Sequence, residues 1–86
     1  MALSRAFRRV YPQVGKIDTL HDIRELIEEI ENDNIPNKLK RKRLHFMYAL
    51  TFTNHFKKGW KGSRQDLIKA RELLKEAYEE RRIIIV

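Results

Sequence analysis

Hydrophobic residues recur along most of the chain at the spacing of an α-helix. The clearest pattern repeats every three or four residues, with charged residues on the opposite face: Leu20, Ile23, Leu26, Ile27 and Ile30. It predicts an amphipathic helix that is capped by Asp18 or Thr19. A similar pattern predicts a second amphipathic helix that begins after Ser63: Leu67, Ala70, Leu73, Leu74, Ala77 and Tyr78.

A shorter apolar pattern lies at the N-terminus: Leu3, Ala6, Phe7, Val10 and Tyr11. Three arginines, Arg5, Arg8 and Arg9, fall on the opposite side of the same helical projection. The residue before a proline disfavours helical geometry, so the pattern predicts a short amphipathic helix that ends before Pro12. Its basic face remains available to a ligand.

The segment formed by residues 37–58 is expected to be the central element of the domain, with basic residues at both of its ends. At about 100° per residue, its middle places apolar residues around nearly the whole helix circumference: Leu44, Phe46, Met47, Tyr48, Ala49, Leu50 and Phe52. We expect one helix here, buried on all sides. The alternative is a half-buried strand, because every second residue from Leu44 to Phe52 is apolar. A strand needs partner strands, and the only other strand-like run is residues 83–86, so the helix is favoured.

These patterns together predict an all-α fold, a small bundle of three main helices plus a short N-terminal helix. The helices are expected to run up and down with tight connections, as a single helical domain over residues 1–86. A chain of 86 residues is near the size at which one hydrophobic core is only marginally sufficient. A homodimer or a larger protein partner would therefore add stability.

Composition removes several classes of function. The chain has no cysteine, which excludes a disulfide framework, thiolate catalysis and thiolate zinc sites. It shows no signal-peptide pattern and no apolar run of about 18 residues, so we expect a cytoplasmic protein with no membrane partner. No glycine-rich phosphate loop or nucleophile–base pair is evident. We expect no enzymatic activity and no cofactor.

The histidines do not suggest a metal site. His45 and His55 are ten residues apart and project in different directions from a helix. His21 and Glu25 are four residues apart and would share one helix face. Two ligands without a third do not make a metal site, so none is expected.

Charge is the strongest compositional signal. The net charge is +7, and excess cations attract polyanions through the release of condensed counterions. The most conspicuous basic run is Lys38, Lys40, Arg41, Lys42 and Arg43, which follows an acidic run that includes Glu28, Glu29, Glu31 and Asp33. If the two helices form an antiparallel hairpin, these acids and bases compensate each other. The basic run is therefore either structural pairing or a binding surface.

A second basic cluster surrounds the only tryptophan: Lys57, Lys58, Trp60, Lys61 and Arg64. In sequence, only Asp66 lies near enough to offset its charge. Gly59 and Ser63 suit the end of one helix and the start of the next. Trp60 either covers the ends of the two helices or stacks on an unpaired base while the cations meet phosphates.

The C-terminus ends in four β-branched residues: Ile83, Ile84, Ile85 and Val86. Such a tail either continues the last helix and folds onto the bundle, or pairs with a second copy or a partner's sheet edge. The combined expectation is a small basic protein that binds the DNA or RNA backbone, or serves as an accessory subunit of a larger nucleic-acid enzyme. The alternative is a protein–protein adaptor with a basic surface and a docking tail.

Overall fold

Four helices account for most of the chain that the structure describes. The computed structural model describes residues 9–11 and 16–83, with only the backbone for residues 81–83. The helices are α1 (Leu20–Asn32), α2 (Asn37–Leu50), α3 (Asn54–Gly59) and α4 (Arg64–Ile83), and no strand occurs in these ranges. The predicted all-α bundle is confirmed. Arg9 and Val10 are helical and Tyr11 is not, whereas the part of the predicted N-terminal helix before Arg9 lies outside the described residues.

The core lies between α1, α2 and α4. Its buried side chains come from these helices and from the segments before α1: Tyr11, Ile17, Ile23, Leu26, Ile30, Leu44, Met47, Ala70 and Leu74. Full burial of one large apolar side chain stabilises the fold by about 1.5–3 kcal/mol. The predicted apolar faces of α1 and α4 are confirmed, because residues from both faces are among these buried side chains. Val10, which was assigned to an apolar face, is 46% exposed.

Helix α1 begins where the sequence placed its cap. The Thr19 side chain accepts a hydrogen bond from the backbone N–H of Asp22, and the Asp22 side chain accepts one from the backbone N–H of Thr19. This reciprocal capping box satisfies two N–H groups that the first helical turn leaves without partners. Thr19, rather than Asp18, is the cap.

The most extensive packing between helices joins α2 to α4. His45 contacts Tyr78, and Phe52 lies under Arg71, so residue numbers rise along α2 as they fall along α4. The two helices are therefore antiparallel.

The prediction of one continuous central helix was wrong, because the chain turns at Thr51–Thr53. The Thr53 hydroxyl donates to the Leu50 carbonyl and accepts from the Phe56 N–H, so Thr53 ends one helix and caps the next. Such local hydrogen bonds compete with helix continuation.

Helix α2 is also not buried on all sides, since Phe52, just beyond its end, is 47% exposed and Ala49 is exposed. Leu44 and Met47 are its buried residues, and Thr51 follows them into the core.

Pro36 occupies the N-cap position of α2. One other local prediction needs correction. Gly59 was expected to end the helix as its cap, but it is the last residue of α3 and its φ is not positive. Trp60 occupies the C-cap position. The predicted start of α4 is confirmed, because the Ser63 hydroxyl accepts the Asp66 N–H at 3.1 Å.

No helix in the described part of the chain is long and apolar enough to cross a membrane.

Candidate nucleic-acid interface

The segment from Lys57 to Arg64, here called the cationic loop, joins α3 to α4. Lys57 and Lys58 lie in the last turn of α3, and Arg64 is the first residue of α4. All three side chains are exposed and make no hydrogen bond or ion pair with the described residues. The loop therefore presents three unpaired positive charges from the ends of two helices.

Trp60 packs within the cationic loop. Its ring stacks on Phe56 with centroids 5.6 Å apart, and its indole N–H donates to the Ser63 carbonyl at 3.0 Å. A methyl group added at Gly62 would lie 3.0 Å from the indole nitrogen, so the ring lies directly against that glycine. Trp60 is half-buried and packs against the core. These contacts match the interpretation of Trp60 as a cover over the helix ends.

Asp18 holds the cationic loop from the other side. Its backbone carbonyl accepts hydrogen bonds from Lys61 N at 2.7 Å and from Gly62 N at 3.3 Å. Its carboxylate pairs with the Lys61 ammonium at 3.3 Å. The expectation that only Asp66 offsets the loop's charge was therefore wrong, because a residue more than forty positions earlier neutralises Lys61.

The α1 cap lies directly beside this contact. Three donors reach one oxygen of Asp22: Asp18 N, Thr19 N and the Thr19 hydroxyl, at 3.1, 3.2 and 2.9 Å. Burial by itself would raise the pKa of Asp22, but these hydrogen bonds outweigh it and hold the pKa below its usual value. The Asp22 carboxylate thus fixes the segment that holds the loop.

The basic run near the α1–α2 turn is largely engaged within the fold. Arg43 Nη1 donates to the Tyr11 hydroxyl at 2.9 Å and lies 3.4 Å from the Asp33 carboxylate. The Tyr11 hydroxyl donates to the same carboxylate at 2.8 Å. Burial, reinforced by this bond to Asp33, raises the pKa of Tyr11. Lys40 donates to the backbone carbonyl of Glu31, at the end of α1.

Fewer acid–base contacts therefore form between α1 and α2 than the prediction of four acids facing five bases implied. Arg43 forms an ion pair with Asp33, and Lys40 meets a carbonyl rather than a carboxylate. Lys38, Arg41 and Lys42 make no ion pair within the described ranges. Lys40 and Arg43 therefore join the two helices, whereas the other three bases have no ion-pair partner among the described residues.

Two groups of candidate residues lie partly outside the described residues. Arg5 and Arg8 lie outside the described residues, whereas Arg9 is exposed. Helix α4 continues to Ile83, whose side chain is not described, and Ile84, Ile85 and Val86 lie outside the described range.

His21 and Glu25 share a helix face as expected, with 2.6 Å between the imidazole nitrogen and the carboxylate. Both side chains are exposed, and no group of three metal-ligating residues occurs in the part of the chain that the structure describes.

The sequence interpretation missed a set of clustered aromatic rings on the α2–α4 surface. His45, Tyr48 and Phe52 are three and four residues apart, so they lie on one side of α2 and its C-terminal turn. Tyr78 of α4 lies 5.0 Å from His45 and 5.6 Å from Tyr48, measured between ring centroids. The spacing on α2 was visible in the sequence, but these residues were assigned to a buried helix.

Comparison with protein-family models, curated proteins and solved structures finds no match.

Proposed function

We propose that this protein is a non-enzymatic nucleic-acid-associated protein that contacts the phosphate backbone through the cationic loop. The supporting observation is that Lys57, Lys58 and Arg64 are exposed, lie in one short segment and have no ion-pair partner among the described residues. The net charge of +7 adds a long-range attraction to any polyanion. Each phosphate that a side chain neutralises releases condensed counterions, which is the main source of sequence-independent affinity.

The surroundings of the loop favour this assignment over a purely solvating role for its charges. Trp60 and Asp18 fix the loop at both of its sides, so the three cations extend from a constrained backbone. A constrained site loses less conformational entropy when it binds than a mobile chain does. Lys61 contributes less, because Asp18 already neutralises it.

Contacts to the phosphates of a nucleic acid carry no direct information about its base sequence, so we expect poor sequence specificity. The same chemistry suits a protein that acts alone and one that serves as an accessory subunit of a larger nucleic-acid enzyme. The proposal concerns the phosphate contact that both roles share.

The test compares two double variants that lose the same net charge. One replaces Lys57 and Lys58 by glutamine, and the control replaces Arg24 and Lys69, which are exposed on α1 and α4. Affinity for labelled DNA and RNA is measured at several salt concentrations. The Lys57/Lys58 variant should bind more weakly, with a salt slope on duplex DNA flatter by about 0.9 per lost contact. The control should retain most of its slope.

Two results would overturn the proposal. Absence of binding at low salt would exclude direct recognition of nucleic acid. Equal losses in both variants would mean that net charge alone, rather than the cationic loop, governs binding. A protein partner that co-purifies after nuclease treatment, with no nucleic-acid binding, would instead support the adaptor hypothesis.

A further inference from the structure

The ring cluster belongs to a continuous surface that also carries cations, here called the aromatic face. On α2 and its C-terminal turn this face consists of Lys38, Arg41, His45, Tyr48 and Phe52, whose spacing of three or four residues places them in one row. On α4 it consists of Arg71, Lys75 and Tyr78. Every one of these positions is aromatic or basic.

Positive charge predominates around the rings, although Glu79 lies one helical turn from Lys75. Helix α2 contains no acidic residue along its whole length. On α4, Glu72 and Glu79 lie at positions farther from α2 than Arg71 and Tyr78, at about 100° per residue. A ligand on the aromatic face would therefore meet positive charge first.

The four rings pack against one another, and the two at the ends of the cluster are exposed. Tyr48 and Tyr78 are half-buried and meet at 62°, while His45 and Phe52 lie at opposite ends. Phe52 is 47% exposed, and the Arg71 guanidinium covers one of its faces at 4.1 Å. Arg71 is itself fixed by the buried Thr51, whose hydroxyl and carbonyl accept its hydrogen bonds at 3.2 and 2.8 Å. The Phe52 ring is thus fixed in place while much of it remains accessible.

We propose that the aromatic face stacks unpaired bases, so that the ligand of the cationic loop is single-stranded nucleic acid. This inference rests on the proposed function and specifies its ligand. Base stacking on protein aromatics requires unstacked bases, which a duplex does not offer. The rings supply flat π-surfaces, and the flanking cations suit phosphates rather than an apolar peptide.

The two surfaces are close enough to act on one strand. Phe52 lies two residues before α3, and Lys57 and Lys58 lie in the last turn of that helix. A six-residue helix is only about 9 Å long. A short strand can therefore place bases on the aromatic face and phosphates at the cationic loop.

The test uses three ligands of equal length, about 20 nucleotides, which exceeds the usual site size of small single-strand-binding domains. They are oligothymidine, an abasic strand with the same sugar–phosphate backbone, and a duplex. The variant is Phe52→Ala, with Phe52→Leu as a less disruptive companion. Val10→Ala is the control, because Val10 is also 46% exposed but lies outside the aromatic face. Melting curves establish that each variant is folded.

The unmodified protein should bind oligothymidine more tightly than the abasic strand or the duplex. Phe52→Ala should weaken oligothymidine binding by about five- to 150-fold, the effect of losing one base stack. Its abasic-strand affinity and its salt slope should not change, because the phosphate contacts remain. Val10→Ala should bind as the unmodified protein does.

The failures of the two proposals are distinguishable. Equal, salt-dependent binding of all three ligands, with no effect of either Phe52 variant, would overturn the stacking proposal and leave phosphate binding by the loop intact. Absence of binding to every ligand at low salt would overturn both. A Phe52 variant that loses abasic-strand and oligothymidine affinity equally would also contradict stacking.

Discussion

The two basic clusters of this protein look alike in sequence but are used differently by the fold. Near the α1–α2 turn, Arg43 is only 21% exposed in its side chain and bridges Tyr11 to Asp33. In the cationic loop, Lys57 and Lys58 extend into solvent without a partner in the described structure. In the dense run, Lys40 and Arg43 are engaged within the fold, whereas in the sparser cluster only Lys61 forms an ion pair within the described ranges. The density of charge along a sequence therefore does not show which cations are paired within the fold.

The largest effect that tests this contrast concerns Arg43. Arg43→Ala removes a charged donor from the Tyr11 hydroxyl and the Asp33 carboxylate, so the free energy of unfolding should fall by about 1–3 kcal/mol. Lys42→Ala, one residue earlier and exposed, should change it by less than about 0.5 kcal/mol. Urea denaturation of both variants measures the difference. Weaker nucleic-acid binding by Arg43→Ala at unchanged stability would contradict the structural role.

The packing of Trp60 can be tested at Gly62. Gly62→Ala would place a methyl group 3.0 Å from the indole nitrogen, so the ring must shift and its bond to Ser63 should weaken. We expect a stability loss of about 1–2 kcal/mol, typical of mild overpacking, with a change in tryptophan fluorescence. Gly59→Ala is the matched control, since nothing lies within 4 Å of the added atom. Similar fluorescence changes in both variants would refute the close contact.

The stability of the protein should depend on pH through Asp22, which fixes the segment that holds the cationic loop. Because the pKa of Asp22 is lowered in the folded state, its contribution to stability is present above the unfolded pKa, about 3.9. It is lost as the pH falls through the folded value. Asp22→Asn should therefore reduce stability by about 1 kcal/mol near pH 7, with the difference shrinking below about pH 4. A pH-independent difference would contradict the role of the charge.

The smallest expected effect concerns Lys61. Its side chain is 77% exposed, and exposed ion pairs contribute about 0.2–1 kcal/mol or less. Lys61→Met should change stability within that range, because the backbone N–H bond to Asp18 remains. It should also flatten the salt slope of nucleic-acid binding less than a Lys57 substitution does. A larger slope change for Lys61 would reverse the ranking of the loop's cations.

The break between α2 and α3 shows how far pattern analysis reaches. Apolar residues on both sides of the turn suggested one helix, yet Thr53 and Asn54 are also a helix-start signal that the apolar run obscured. Hydrophobic periodicity predicts that a segment is helical more reliably than where it stops. The assumption that this helix is buried on all sides also hid the aromatic face, because a fully buried helix would have no residues exposed to a ligand.

The sequence alone determined the helical class, the apolar faces of α1 and α4, a cap at Asp18 or Thr19 and the positive charge. Each of these depends on residues within a few positions of one another, whose interactions follow from helix geometry. Tertiary structure alone decided which cations are paired. Tyr11 meets Arg43, and Asp18 meets Lys61, across sequence separations of more than thirty residues. Only packing fixes such distances, and a charge's availability depends on them.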